Sequence, residues 1–499
     1  MKKIAWMLLT VLLLGALSGC NKGEPTRKDT NEIAVGIAQD LSSSLSPYQL
    51  STAGTREIMF NVFEGLYKPA PDGSFLPALA TGVDISADNL TYTFTLREGV
   101  TFHNGAAMTA ADVVWSYQTC AAEGVDANVK AALAGVAEVK EDGGKVVITL
   151  SSPNSDFLTY VGSVYIAPKD YTQQDTAPVG TGPFRYVSRR VQENIDLDRI
   201  DGYWGEKAKI QKVTFKIYET NTAQVTALDS GAVDIFAHLT STQITGLSKD
   251  YNILEGTMNL VQALYLNNAV KPFDDVRVRR ALCYAVDVDQ MLALTSGGHG
   301  AKLGSSIYPS FARYFDASLI DLYPHDVAKA KQLLAEAGYP EGFSMTITVP
   351  SNYTPHVNTA VVLAEQLKEA GITATVKEVD WNTWLTEVYQ GRQFESTVSG
   401  FDASTLTAGA LLNRYVSDSK KNMIGFANAE YDAKIAEASS ITDEARRTEL
   451  YKAAARILAE EAANVYLQDL AEYVAIRADL DGYVFYPLYL LDLSKIAYK

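Results

Sequence analysis

A chain of 499 residues with 47% hydrophobic and 20% charged side chains is too long for one ordinary core and carries enough apolar material for two or three domains. Its formal charge of −16 argues against nucleic acid as a partner, because a phosphate backbone needs a basic footprint; it mildly favours neutral or cationic ligands. No long low-complexity tract interrupts what reads as a folded body.

The N-terminus has a different character. Met1-Lys2-Lys3 supplies positive charge, and Ile4 to Leu14 is an apolar run too short to stay in a bilayer, the pattern of a secretory signal. It ends in Leu17-Ser18-Gly19-Cys20, which resembles the bacterial lipobox. Residues 1–19 would then be removed and Cys20 acylated, anchoring the protein to a membrane by lipid, with residues 20–31 as a flexible tether. Loss of Lys2 and Lys3 takes the formal charge to −18. No second stretch is apolar and long enough to span a bilayer, so the body is expected at the outer surface of the cell membrane or in the periplasm. Beyond Cys20 only Cys120 and Cys283 remain, both in predicted amphipathic helices, and two buried thiols are expected in preference to a disulfide.

Ile33 to Ile37 alternates as a first strand, Leu45 to Tyr48 reads as a turn, and Arg56 to Tyr67 groups Ile58, Val62 and Phe63 at helical spacing. Within the stretch Asp88 to Gly105, Tyr92, Phe94 and Leu96 alternate with Thr in a clear period of two. Thr109 and Asp112 form a capping box for a helix carrying Val113, Val114 and Tyr117, and Val146 to Leu150 is another strand. In Val179-Gly180-Thr181-Gly182-Pro183-Phe184 a glycine turn enters a strand. A phosphate cradle would instead open a helix with Gly-x-x-x-x-Gly-Lys-Ser/Thr. Asp196, Asp198 and Asp201 lack the spacing and terminal Glu of a calcium loop. Lys212 to Tyr218 is a strand, Asn221 to Leu228 a helix, and Gly231 to Ile235 leads into a further strand.

Tyr265 to Asp289 reads as a strand, a turn at Lys271-Pro272, and a helix capped by Asp274 or Asp275, with Val278, Leu282 and Ala285 inward and Arg277, Arg279 and Arg280 solvated or paired. Beyond it helices at Val327–Ala337 and His356–Ala370, ended by Gly338 and Gly371, alternate with strands at Phe343–Val349 and Thr373–Val379. Thr442 to Ala463 is a long helix, and the tail Tyr483 to Pro487 is strand-like.

Neither a Gly-x-Ser-x-Gly elbow nor a His-Glu-x-x-His helix is present, and the five histidines are scattered, so no catalytic residue, metal or cofactor is expected. The 28 Tyr, 17 Phe and 5 Trp suit the rigid aromatic walls of a ligand cleft, although a β-rich body also uses Tyr.

The stretches Asp88–Gly105, Val179–Phe184, Gly231–Ile235 and Tyr265–Asp289 resemble family 5 of the bacterial solute-binding proteins, the oligopeptide, dipeptide and nickel type, and further matches follow along nearly the whole chain. The resemblance implies an α/β, two-lobed periplasmic-binding-protein type II fold (cluster C) with an extra scaffold subdomain. Lobe I would comprise residues 32–56, 173–266 and 471–499, the scaffold 57–172 and lobe II 267–470. The lobes would close about crossovers at Tyr265–Phe273 and near Asp469–Val474.

It also implies site residues. The turn and the residues after it would line the cleft through Tyr48, Ser51 and Ala53, positions that equally fit a surface loop. His103 reads as structural, and His356 as either a pocket residue or a helix-start surface residue. In Asp380-Trp381-Asn382-Thr383-Trp384-Leu385 the first Trp would face ligand and Trp384 the core. Ser399-Gly400-Phe401-Asp402-Ala403-Ser404 falls where members carry Gly-Trp and, three positions after the Trp, an Asp that pairs with a peptide ammonium; here that position is Ser404. A buried ammonium without a counter-charge is costly, so either Asp402 takes the role or the ligand is not a free-amine peptide.

The function so implied is that of a monomeric, lipid-anchored receptor that captures a peptide or peptide-sized solute and delivers it to the permease subunits of an ABC importer. A chelated metal or haem is the alternative ligand, a surface hydrolase the alternative class, and a sensor of peptide levels would share every feature.

Overall fold

The structure, a computed structural model, describes residues 30–50, 52–122, 130, 133–154, 156–403 and 407–499. The leader, Cys20, Ser51 and Ser404 lie outside the described residues. Among the described residues no helix is long and apolar enough to cross a membrane.

Strand β1 (Glu32–Ile37) opens a first lobe. After it, β2 (Tyr67–Pro69) and β3 (Phe75–Pro77) form a short ladder, and β4 (Ala80–Ile85), β5 (Thr91–Leu96), β6 (Val136–Asp142) and β7 (Lys145–Leu150) form a separate four-stranded sheet. The chain then returns to lobe I for β8 (Phe184–Arg190), β9 (Asn194–Arg199), β10 (Lys212–Ile217), β11 (Ile235–Leu239) and β12 (Tyr251–Thr257). Lobe II holds β13 (Leu260–Leu266), β14 (Ala301–Lys302), β15 (Ser344–Pro350), β16 (Thr373–Val379), β17 (Ser396–Asp402) and β18 (Asn464–Asp469), and β19 (Ala471–Arg477) goes back to lobe I. The lobe I sheet has the order β12-β19-β11-β1-β10-β9-β8, and the lobe II sheet β14-β18-β13-β17-β15-β16.

Local sequence explains much of this. In β5 Tyr92 and Phe94 point into the core of the scaffold with Val146 and Ile148 of β7, as the period of two requires. The helix Ala110–Ala121 across this sheet starts at the expected box, Asp112 Oδ2 accepting from the Thr109 amide at 2.9 Å. Gly338 and Gly371 follow their helices with φ of 93° and 88°, left-handed conformations that favour glycine. The glycine turn is needed for close approach: a Cβ on Gly180 would sit 2.1 Å from the Val62 carbonyl oxygen, and one on Gly182 2.5 Å from that of Asn61. His103 braces the same turn through Nε2, 3.0 Å from the Gly182 carbonyl.

Several expectations are corrected. The helix expected over Arg56–Tyr67 runs only Ala53–Met59, because the carbonyls of Asn61 and Val62 bend away to accept from Phe184 and Gly182. The tail Tyr483–Pro487 forms no strand, yet Leu491, Leu493 and Ile496 beyond it do pack in the lobe I core. Strand β13, placed in lobe I by the resemblance, pairs with β17 and β18 and is buried nearly throughout, so it is a central strand of lobe II. The first crossover therefore lies at Met258 and Asn259 rather than Tyr265–Phe273, and the second at Leu470. The two crossings are bound together, the Met258 amide donating to the Leu470 carbonyl at 2.9 Å and the Leu260 amide to Asp469 Oδ1 at 3.1 Å. Past β13, Asp275 is the cap of the Val276–Ala285 helix, and Arg279 is buried against the carbonyls of Phe273, Glu461 and Ala462 instead of being solvated. Cys120 and Cys283 are buried free thiols.

Candidate functional site

Register fixes where a cleft can lie. In lobe II, β15 runs parallel to β16 and β17, and β17 ends at Asp402 opposite Leu260, the first residue after the crossing. In lobe I, β1 runs parallel to β11, whose last residue Leu239 lies opposite Tyr473, just beyond the second crossing. Both sheets thus turn the carboxyl ends of their parallel strands toward the crossings, the edge at which open α/β sheets bind ligands.

The aromatic surface gathers there. Among the described residues only three aromatic side chains are exposed: Tyr353 (44%), Trp381 (39%) and Tyr489 (44%). Tyr353 and Trp381 follow β15 and β16, while Tyr489 comes from the tail on lobe I. Asp380 caps the short turn of helix that carries Trp381, which stacks on Trp384 at 5.2 Å and 16° and leans on Tyr353 at 5.4 Å. Trp384 is core, its Nε1 donating to Thr397 Oγ1 at 3.0 Å.

His356 is buried. Its Nδ1 is 2.8 Å from Gln262 Nε2, and Gln262 Oε1 in turn accepts from Gln468 at 2.7 Å. Burial pushes the imidazole down to about 4, so it is neutral and accepts from the Gln262 amide. A Cβ on Gly400 would come within 2.7 Å of Leu260 Cδ1 and 3.3 Å of the His356 ring, so the glycine admits this packing. Phe401 is half-buried between Tyr265 at 5.1 Å and Tyr389 at 5.9 Å, with the Arg414 guanidinium 3.8 Å from its ring centroid. Asp402, next along the strand and hence on the opposite face, is exposed. Trp381, His356, Gly400, Phe401 and Asp402 thus cluster at one edge of lobe II.

On lobe I, Tyr48 does not face the cleft. Tyr48 is buried in the scaffold core, its hydroxyl donating to Ser116 Oγ at 3.0 Å and its ring edge-on to Trp115. The apolar ring fills a gap between the turn and the scaffold helix instead of offering a face to the cleft. Ala53 starts the helix Ala53–Met59, and Gly54 and Glu57 from that helix line a small cavity of about 50 Å³ with Gln39, His238 and Tyr489.

His238 is the residue that sequence reasoning missed. It sits at a bulge in β11 with φ of 59°, a conformation rare for a residue with a side chain, and stacks flat on Tyr489 at 3.8 Å and 10°. Its Nε2 is 2.7 Å from Glu57 Oε1 and its Nδ1 2.5 Å from Glu472 Oε1. Burial opposes the charged ring, but the two carboxylates outweigh it and raise it to about 10, so it is an imidazolium within a net negative group. A lone His after an apolar strand gave no signal of partners so distant in sequence. Among the described residues no group of three or more His, Cys, Asp or Glu could hold a metal ion.

Known proteins share this architecture. The family model described as bacterial extracellular solute-binding proteins, family 5 Middle, matches residues 74–423. The glutathione-binding protein GsiB of Salmonella typhi is 28% identical over 452 residues, 86% of this chain and 87% of its own. Heme-binding protein A of Haemophilus influenzae is 28% identical over 450 residues, 82% and 81% of the two chains. Among solved structures, a dipeptide binding protein from a Pseudoalteromonas species in complex with Met-Leu is 26% identical with a TM-score of 0.72, over 94% of this chain and 100% of that one. DppA from Helicobacter pylori in complex with peptide STSA is 25% identical with a TM-score of 0.72, over 94% and 98%. With its fold, its order of elements and most of its length matched, the chain belongs to the bacterial extracellular solute-binding proteins of family 5.

Proposed function

We propose that this protein is a transport receptor that captures a peptide or peptide-sized solute between its two lobes and hands it to the permease subunits of an ABC importer. One observation carries the reading: of the exposed aromatic side chains among the described residues, Tyr353 and Trp381 follow the carboxyl ends of β15 and β16 on lobe II, and Tyr489, on the lobe I tail, stacks on His238 near the carboxyl end of β11. Exposed aromatic faces on both walls of a hinged cleft lose water when the lobes approach, so ligand contacts favour the closed arrangement by the difference in area and hydrogen bonds between the two states. The peptides bound by two relatives, Met-Leu and STSA, support a ligand of that size, and the glutathione-binding relative extends the class to peptide-like solutes. Acylation of Cys20 would hold the receptor at the outer membrane face as a monomer, either outside the cell or in the periplasm.

Native mass spectrometry of the purified protein, followed by denaturation and identification of what is released, tests this. A peptide ladder or a peptide conjugate is the expected result. A tetrapyrrole or metal chelate as the single released species would overturn the peptide reading in favour of the kind of ligand that heme-binding protein A takes.

A further inference from the structure

The lobes are joined covalently at Met258–Asn259 and at Leu470, and the C-terminal tail touches both of them again. Leu491, Leu493 and Ile496 anchor it in the core of lobe I, where Asn61 clamps it by donating to the Leu491 carbonyl at 2.8 Å and accepting from the Leu493 amide at 3.0 Å. Leu488, three residues before Leu491, packs instead against the hydrophobic core of lobe II. Between these sits Tyr489, whose ring lies flat on His238 of lobe I. The Leu490 amide donates to the Leu488 carbonyl at 2.8 Å, a three-residue turn that fixes the Leu488 and Tyr489 side chains relative to each other.

The segment ahead of the turn is tied to the first crossing. Asn259, in the left-handed region at φ of 57°, donates from Nδ2 to the Tyr486 carbonyl at 2.9 Å, and its Oδ1 accepts from Ser310 Oγ of lobe II at 2.5 Å. One buried side chain thus joins the crossing, the tail and lobe II. A Cβ on Gly256 would lie 2.5 Å from the Phe485 ring, so the tail runs directly against the end of β12. Pro487 fixes its own φ and holds Tyr486 extended, which stiffens the stretch. The scaffold reaches the same point: a Cβ on Gly73, in the turn between β2 and β3, would lie 3.5 Å from Pro487 and 3.4 Å from Phe311 of lobe II. Sealing the core of lobe I accounts for Leu491, Leu493 and Ile496, but not for a leucine laid on lobe II or for an asparagine bonded to both sides.

Resting on the receptor reading above, we infer that Tyr486–Tyr489 is a strap that couples closure of the lobes to the aromatic wall of the cleft. With the lobes together, Leu488 is docked on lobe II and the turn holds Tyr489 against His238. When they separate, Leu488 loses that apolar contact and Tyr489 its fixed position. Burial of Leu488 therefore favours the closed arrangement before any ligand is present, and a ligand that packs on Tyr489 stabilises the docked strap. Leu488 and Asn259 are positioning residues that act on the ligand through Tyr489.

The test uses the purified chain, stripped of bound material by unfolding and refolding. Spin labels on Lys249→Cys of lobe I and Glu365→Cys of lobe II, both exposed positions, report the distance between the lobes by double electron–electron resonance. Loss of the half-buried side chain in Leu488→Ala should move the ratio of open to closed molecules about tenfold toward the open form, seen as a growing long-distance population. Ser310→Ala, which removes the lobe II arm of the Asn259 bond, should move it the same way. Ile496→Val, confined to the lobe I core, should lower the melting temperature and leave the distances unchanged. Retention of an equimolar tripeptide library, read by native mass spectrometry, should fall in Leu488→Ala although Leu488 faces the lobe II core. Melting curves check that each variant is folded; if Leu488→Ala is not, Ser310→Ala decides. Unchanged distances in the folded variants, or an equal shift in Ile496→Val, overturn the strap and leave the receptor reading intact. Distances that shift as expected while the wild type retains no peptide uphold the strap and overturn the peptide reading.

Discussion

Replacing Asp469 by Asn should abolish a pH dependence of stability that originates at the crossing between the lobes. The side chain is fully buried and its Oδ1 accepts from the Leu260 amide at 3.1 Å. Burial is the largest influence on the carboxyl and pushes it up to about 7; bonds from Leu260, Thr257 and Asn259 work against it, and Glu472 adds to it. From an ordinary 3.8 to about 7 is roughly three units, or about 4 kcal/mol between the two protonation states. A raised folded value means that the stabilising contribution is complete below the unfolded value and is lost as pH rises through about 7. Asn keeps an acceptor for Leu260 and does not titrate. The unfolding free energy of the wild type should therefore fall relative to Asp469→Asn by about 4 kcal/mol between pH 4 and pH 8. Urea unfolding of the ligand-free proteins at intervals across that range measures it, and the comparison cancels His103, His238 and His356, which titrate in both. Parallel curves for the two proteins would refute the argument, because a fully buried carboxylate cannot ionise there without cost.

Trp381→Ala should leave the melting temperature nearly unchanged and weaken ligand retention at least about tenfold, whereas Trp384→Ala should cost about 3–5 kcal/mol of stability by emptying a core site. Equal melting of the two variants would contradict that division. His238 should be charged in an imidazole NMR spectrum at pH 8, and Glu472→Gln should lower its titration midpoint; its contribution to stability is complete below about pH 6.5 and lost as pH rises through about 10. A neutral ring at pH 8 in the wild type would dismiss the ion triad. Burial pushes the Cys120 and Cys283 thiols up to about 12, so both should react with a thiol reagent only after unfolding; labelling of the native protein would show the cores to be more open.

What the sequence alone determined was set by neighbours a few residues apart. The Tyr92–Phe94 alternation, the Thr109–Asp112 box, the Asp275 cap and the glycines after two helices each rest on interactions within about one turn or one strand, and their physics is complete in the local chain. The resemblance added the two lobes and the group around Trp381 and Phe401. Tertiary structure decided the rest, since burial and pairing depend on what a segment meets. Strand β13 alternates like a half-buried strand, yet partners on both sides make it a centre of lobe II and move the crossing to Met258. Tyr48 looks like a cleft residue until Ser116 takes its hydroxyl. His238 becomes an imidazolium only because Glu57, 181 residues away, and Glu472 are folded against it. Arg414 is one arginine among many until the fold lays its guanidinium 3.8 Å from the centroid of the Phe401 ring, a contact between residues 13 apart that no local pattern encodes.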